Sequence, residues 1–176
     1  SHIVQVRARL PWLLIGLAGG IITSRIIAQY EGQLRIDPTM AFFMPLIAAT
    51  AGNVGVQSSA IVVQGLAAGS LANTNLLARM WKELRVALLT ATVCGVTIFA
   101  INFALEQTQA LTFTVSIALF TVLLTAAMFG TVIPLLMDRL KVDPALATGP
   151  FVTTLNDIFG LLTYFTVGHI MYGLLA

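Results

Sequence analysis

Five apolar stretches, each long enough to cross a lipid bilayer, constrain this chain more than any other feature. A helix needs roughly 20 residues at 1.5 Å each to span a hydrocarbon core about 30 Å thick. The first stretch runs from about Pro11 to Tyr30, with Pro11 suited to a first helical turn. The second begins at the Asp37-Pro38 cap and continues to about Leu71. The third covers about Trp81 to Leu105, the fourth about Leu111 to Met137, and the fifth runs from the Asp143-Pro144 cap to the C-terminus. None alternates as the strands of a membrane barrel do. The expected fold class is therefore an all-α membrane protein with five transmembrane helices per protomer. Only 9% of residues are charged, so a soluble domain is excluded.

Basic residues set the expected orientation. Arg7 and Arg9 precede span one; Arg79, Lys82 and Arg85 lie between spans two and three; Arg139 and Lys141 lie between spans four and five. The positive-inside rule places these regions in the cytoplasm, so the N-terminus is inside and the C-terminus outside. The expected location is the inner or plasma membrane, crossed several times. Glu31, Asp37 and Glu106 then form a mildly acidic outer rim that would attract cations, or are simply solvated loop charges. Arg25, near the outer end of span one, can snorkel to the headgroups or pair with Glu31. A net charge of +2 gives no reason to expect nucleic-acid binding, and Cys94 has no second cysteine with which to pair.

Asp157 is the carboxylate set deep inside a membrane-length segment. A charge at the bilayer centre costs at least about 2.5–3.5 kcal/mol, so such residues more often serve a cation or a proton than decorate a helix. A protonated Asp bonded to a neighbouring helix is the structural alternative. Thr153, Gly160 and Tyr164 share its helical face, flanked by Thr154 and Asn156. Span two carries a second stripe: Asn53, Gln57 and Ala60 follow i, i+4, i+7 spacing, with Gln64 one turn further. Amides at membrane depth require partners, supplied by another helix or by a water-filled path. Gly52 and Gly55 beside Asn53 leave room for a backbone or a hydrated ion. The spaced pairs Gly16/Gly20 and Gly65/Gly69 read as helix-packing positions. Pro45 and Pro150 free carbonyls early in the two striped helices.

Arg35-Ile36-Asp37-Pro38 before Pro45 echoes Lys141-Val142-Asp143-Pro144 before Pro150. Since the two spans start on opposite sides, the echo is inverted, as around midplane ion sites of transporters; it is also what two ordinary capped helix starts would give.

At these spans the chain closely resembles the membrane domain of the MgtE family of magnesium channels. The matching segments are RLPWLL at Arg9–Leu14, FFMPLIAATAGNVGVQSSAIVVQGLA at Phe42–Ala67, WKEL at Trp81–Leu84 and DPALATGPFVTTLNDIFGLLTYF at Asp143–Phe165. The resemblance implies a homodimer whose pore surrounds the two-fold axis, built from spans two and five of both subunits. It implies Asp157 as the acid of the ion site, Asn53 as a further metal-site position and Thr153 as one whose backbone carbonyl faces the ion, while the polar stripes put Gln57, Ala60, Asn156, Gly160 and Tyr164 along the pore. The transported ion would be Mg2+, with other divalent cations left open. Departures occur at Ala51-Gly52, Gln64 and Gly149. Family members commonly carry a cytosolic regulatory region with paired CBS modules. Only about ten residues precede span one, so residues 1–176 are expected to be the pore domain without those parts.

The expected function is conduction of Mg2+ into the cell down its electrochemical gradient. An exchanger coupling Mg2+ to Na+ or H+, for which His169 could relay protons, is the alternative. A non-conducting membrane anchor would leave Asp157 and the amide stripe without purpose. An enzyme is not expected, since no nucleophile–base pair or ligand cluster is evident.

Overall fold

The computed structural model describes residues 2–71 and 75–175. The described residues form α1 (His2–Gln29), α2 (Glu31–Ile36), α3 (Met40–Ala67), α4 (Leu76–Ala104), α5 (Gln109–Arg139) and α6 (Pro144–Leu175). Five of these, all but the short α2, are long and apolar enough to cross a membrane. Each expected span is thus one helix. Helix α1 starts earlier than expected, which leaves Pro11 inside it rather than in its first turn. Long helices tolerate an internal proline in a membrane when neighbours or water re-satisfy the freed carbonyl.

Helix α5 is the centre of the bundle and packs against α3, α4 and α6. Its buried face is rich in small residues, including Ala118, Ala126, Ala127 and Gly130, so neighbouring backbones approach closely. Several of its buried hydroxyls stay within the helix: Thr114 donates to the Ala110 carbonyl at 2.6 Å, Ser116 to that of Thr112 at 2.7 Å and Thr131 to that of Ala127 at 3.0 Å. Helix α1 lies on α6, and α4 packs chiefly on α5.

Helices α3 and α6 run antiparallel through the core. Val152 and Asn156 lie against Gly55, Gly160 lies near Ile47, and Tyr164 reaches Met40, so rising numbers on α6 meet falling numbers on α3. The tightest approach is between α3 and α5. A Cβ on Gly130 would sit 2.4 Å from the Gly55 carbonyl oxygen and 2.9 Å from Ser58 Cβ. Of the two spaced pairs expected to pack helices, Gly16 and Gly20 face open space, and the packed glycine of α1 is Gly19, against Thr154. The helix period puts one face of α1 on α6 and the other on lipid, and sequence spacing alone could not say which. Gly65 packs on Leu71, whereas Gly69 terminates α3 with φ +67°, a conformation that favours glycine.

Asp37 organises the α2–α3 connection. One carboxylate oxygen accepts from the Thr39 amide at 2.9 Å and from the Thr39 hydroxyl; the other accepts from the Tyr172 hydroxyl near the end of α6. Nearby, the Tyr164 hydroxyl donates to the Met40 carbonyl at 2.9 Å, and Tyr30 stacks on Phe165 at 4.6 Å between centroids. Asp37 is thus a structural anchor within the expected acidic rim. Glu31 pairs with Arg35 at 2.7 Å, one helical turn away, and not with Arg25.

Burial alone would raise the Asp37 carboxyl, but the hydrogen bonds from the Thr39 hydroxyl, Tyr172 and the Thr39 amide together hold it below its ordinary value. A depressed carboxyl contributes stability above its unfolded pKa of about 3.9 and loses it as pH falls through the lower native value. Asp37→Asn is therefore expected to lower the thermal midpoint at neutral pH, with the gap to wild type closing in acid. Melting curves of both proteins over an acid series check this; a gap that does not change with pH would show that the charge is irrelevant.

Candidate cation-binding groove

One side of the α3–α6 pair opens into a groove of about 560 Å³. Its lining comes from these two helices only: Ala48, Ala49, Gly52, Asn53, Val56 and Gln57 from α3, and Thr153 and Asp157 from α6. Helical periodicity explains the set. Asn53 and Gln57 are four residues apart, as are Thr153 and Asp157, so each pair stacks on one face. Ala48, Ala49 and Gly52 supply almost no side-chain volume, and nothing lies within 4 Å of where a Cβ on Gly52 would be. The groove is therefore wide at the level of the amides.

Asp157 follows Pro144 by thirteen residues and precedes Leu175 by eighteen, which puts it about 20 Å from one end of α6 and about 27 Å from the other. Among the described residues its carboxylate has neither a hydrogen-bond donor nor an ion-pair partner. A protonated Asp bonded to a neighbouring helix of the same chain is thereby disfavoured. The Thr153 hydroxyl donates back to the Gly149 carbonyl at 3.0 Å and the Pro150 carbonyl at 3.3 Å, so it presents only acceptor capacity to the groove. Asn53 and Gln57 are exposed on the groove side. The arrangement offers a carboxylate, two amides and a hydroxyl oxygen around a space larger than a bare ion. Among the described residues no group of three His, Cys, Asp or Glu side chains converges. Among the described residues the groove is lined by one carboxylate, that of Asp157.

The structure brings together Asn53, Gln57, Thr153 and Asp157, and it separates the other expected positions from them. Ala60 is exposed but lies beyond the groove. Asn156 is buried; its amide donates to the Ala51 carbonyl at 3.2 Å, locking α6 to α3 beside the groove rather than lining it. One residue along a helix is a rotation of about 100°, enough to turn Asn156 into the contact while Asp157 faces out. Gly160 is buried near Val122 and Ile47. Tyr164 is fully buried on Met40. Both share the face of Asp157 by spacing, but Val122 of α5 and Ile47 of α3 cover Gly160, and Tyr164 turns in to Met40 at the start of α3. Gln64 lies outside the groove as well. His169 is exposed and also lies apart from it.

One polar contact escaped the sequence reading. The Ser58 hydroxyl donates to Glu83 of α4 at 2.5 Å, across a separate cleft between α3, α4 and α5. Its signal was present, since WKEL places an acid in the first turns of a span.

Known proteins agree with the resemblance seen in the sequence. The model of the MgtE family, described as divalent cation transporter, matches residues 44–167. The chain is 39% identical over 164 residues to the magnesium transporter MgtE of Bacillus subtilis, covering 93% of this chain and 36% of that protein. It is 37% identical over 159 residues to that of Enterococcus faecalis, covering 90% and 35%. It is 32% identical over 164 residues to that of Thermus thermophilus, covering 93% and 36%. The chain therefore spans about a third of the length of these relatives. Five membrane-length helices and a match across the helices that build the groove make this a multi-pass protein of the cell membrane. The chain belongs to the MgtE family of divalent cation transporters.

Proposed function

We propose that this chain is the pore-forming part of a magnesium channel, in which the groove between α3 and α6 binds a hydrated Mg2+ at Asp157. The unpartnered carboxylate facing an open space lined by Asn53, Gln57 and Thr153 carries this reading. Mg2+ sheds water reluctantly and is held by one or two carboxylates through a partly retained hydration shell. Small residues at 48, 49 and 52 leave space for those waters, and amide and hydroxyl oxygens can accept from them. The names of the curated relatives support Mg2+ as the ion.

The groove has walls from two helices and none opposite, and it holds a single acid. A second copy of the chain, placed across a two-fold axis, closes the path and adds the second Asp157. The same reading places the N-terminus in the cytoplasm, the C-terminus outside, and residues 1–176 as the transmembrane pore domain. A cell interior at about −100 mV favours inward movement of a divalent ion by roughly 4.6 kcal/mol, so the gradient alone suffices to drive entry.

The test is Mg2+ entry into liposomes holding the purified chain, driven by an imposed interior-negative potential with no Na+ or proton gradient. Entry under potential alone is the expected result. Entry only when a Na+ or proton gradient is added establishes an exchanger instead, and no entry under any gradient overturns both.

A further inference from the structure

The cleft between α3, α4 and α5 has no role in the groove, although Gln57 borders both. It encloses about 250 Å³, and its charged residues all lie at one end. Arg79, Lys82 and Glu83 lie at the beginning of α4, and the walls beyond them are mostly apolar, among them Val54, Val86 and Leu123. Along α4 the lining extends from Arg79 to Thr90, eleven residues, or about 16 Å. Half of a hydrocarbon core about 30 Å thick is about 15 Å. The cleft therefore has the length of one leaflet, with cations at the headgroup end and hydrocarbon along the rest.

Its charges are unbalanced. The Glu83 carboxylate already accepts from Ser58 at 2.5 Å. Arg79 and Lys82 have no ion-pair partner among the described residues, and Arg79 Nε is buried without a hydrogen-bond acceptor. Arg79 also borders a second space of about 200 Å³ beside Asp138 and Arg139, and pairs with neither. Two free cations against one engaged carboxylate repel a metal ion and attract an anion. Basic recesses between transmembrane helices at a headgroup level suit acidic lipids.

We propose that this cleft seats an anionic phospholipid, its phosphodiester on Arg79 and Lys82 and one acyl chain along Val54, Val86 and Leu123. Helix α4 packs chiefly on α5 and reaches α3 here through Ser58–Glu83. A seated lipid fills the gap between them. The proposal is independent of what the groove conducts, because its readout is lipid retained and not ion flux.

The experiment reconstitutes the chain with equimolar phosphatidylglycerol and phosphatidylcholine, re-extracts it in mild detergent, and counts bound lipid by native mass spectrometry. Retention of phosphatidylglycerol with a preference of about tenfold is expected. Arg79→Gln/Lys82→Gln should abolish that preference, whereas Arg7→Gln/Arg9→Gln, which removes as much charge elsewhere, should keep it. Val86→Trp fills the apolar track without touching the cations and should also lose the lipid, which covers failure of the double variant to fold. Equal retention of both lipids, an equal loss in the Arg7/Arg9 variant, or displacement of the lipid by inorganic phosphate would each overturn the proposal.

Discussion

Replacing Asp157 by Asn is expected to lower potential-driven Mg2+ entry into liposomes by at least about a hundredfold, equivalent to about 2.7 kcal/mol. At about 5 Å, through a retained water, a carboxylate and a divalent ion attract by roughly 6–7 kcal/mol at an effective dielectric near 20. Each chain of the proposed dimer loses one such charge, so the hundredfold figure leaves wide room for offsetting desolvation. The fold should survive. Asp157 has no partner to lose among the described residues, and Asn occupies the same volume without the expense of a charge at membrane depth. The melting temperature should therefore be unchanged or raised while flux disappears. Wild-type flux in Asp157→Asn would remove Asp157 from the ion site and leave the groove as an incidental gap between helices.

Gly130→Ala should produce the largest loss of stability from a single added methyl. The new Cβ would fall 2.4 Å from the Gly55 carbonyl oxygen and 2.9 Å from Ser58 Cβ. Neither is the end of a side chain that can swing away, so α3 and α5 must separate along their contact. Overpacking of this kind costs about 1–3 kcal/mol, although alanine by itself favours a helix over glycine by up to about 1 kcal/mol. Gly20→Ala isolates the second effect, because its Cβ would meet nothing within 4 Å. Thermal unfolding in detergent should show Gly130→Ala melting well below wild type and Gly20→Ala at or above it. Equal midpoints for the two variants would mean that the α3–α5 contact yields without strain. Gly55 contacts α5 on one side and Asn156 of α6 on the other, so Gly130→Ala should also disturb the groove and weaken flux.

Much of this molecule was legible before any coordinates. Spans of 20 or more apolar residues can satisfy their backbones in lipid only as helices, and all five appear as expected. The pairs Asn53/Gln57 and Thr153/Asp157 were readable for a related reason: four-residue spacing stacks side chains on one helix face whatever surrounds it. Periodicity did not extend to Gly160 and Tyr164. They share the face of Asp157, yet they are buried, Gly160 against Val122 of α5 and Ile47 of α3, and Tyr164 on Met40. Asn156 and the Gly16/Gly20 pair show the same limit from the other side. Sequence marks polar or small positions, while the rotation of each helix against its neighbours assigns them to a contact or to lipid.

Sequence by itself determined the membrane class, the number of spans, the family resemblance and the intramembrane acid, because each follows from local composition or from short spacing along one helix. Only the tertiary structure decided that α5 is the centre, that Asp37 ties α6 to the start of α3, and which of the expected positions on α3 and α6 line one groove. The physical reason is that packing in a bundle depends on pairs of surfaces. Gly55 read alone marks room for a backbone or an ion and Gly130 marks nothing, and the two become decisive only when their backbones meet.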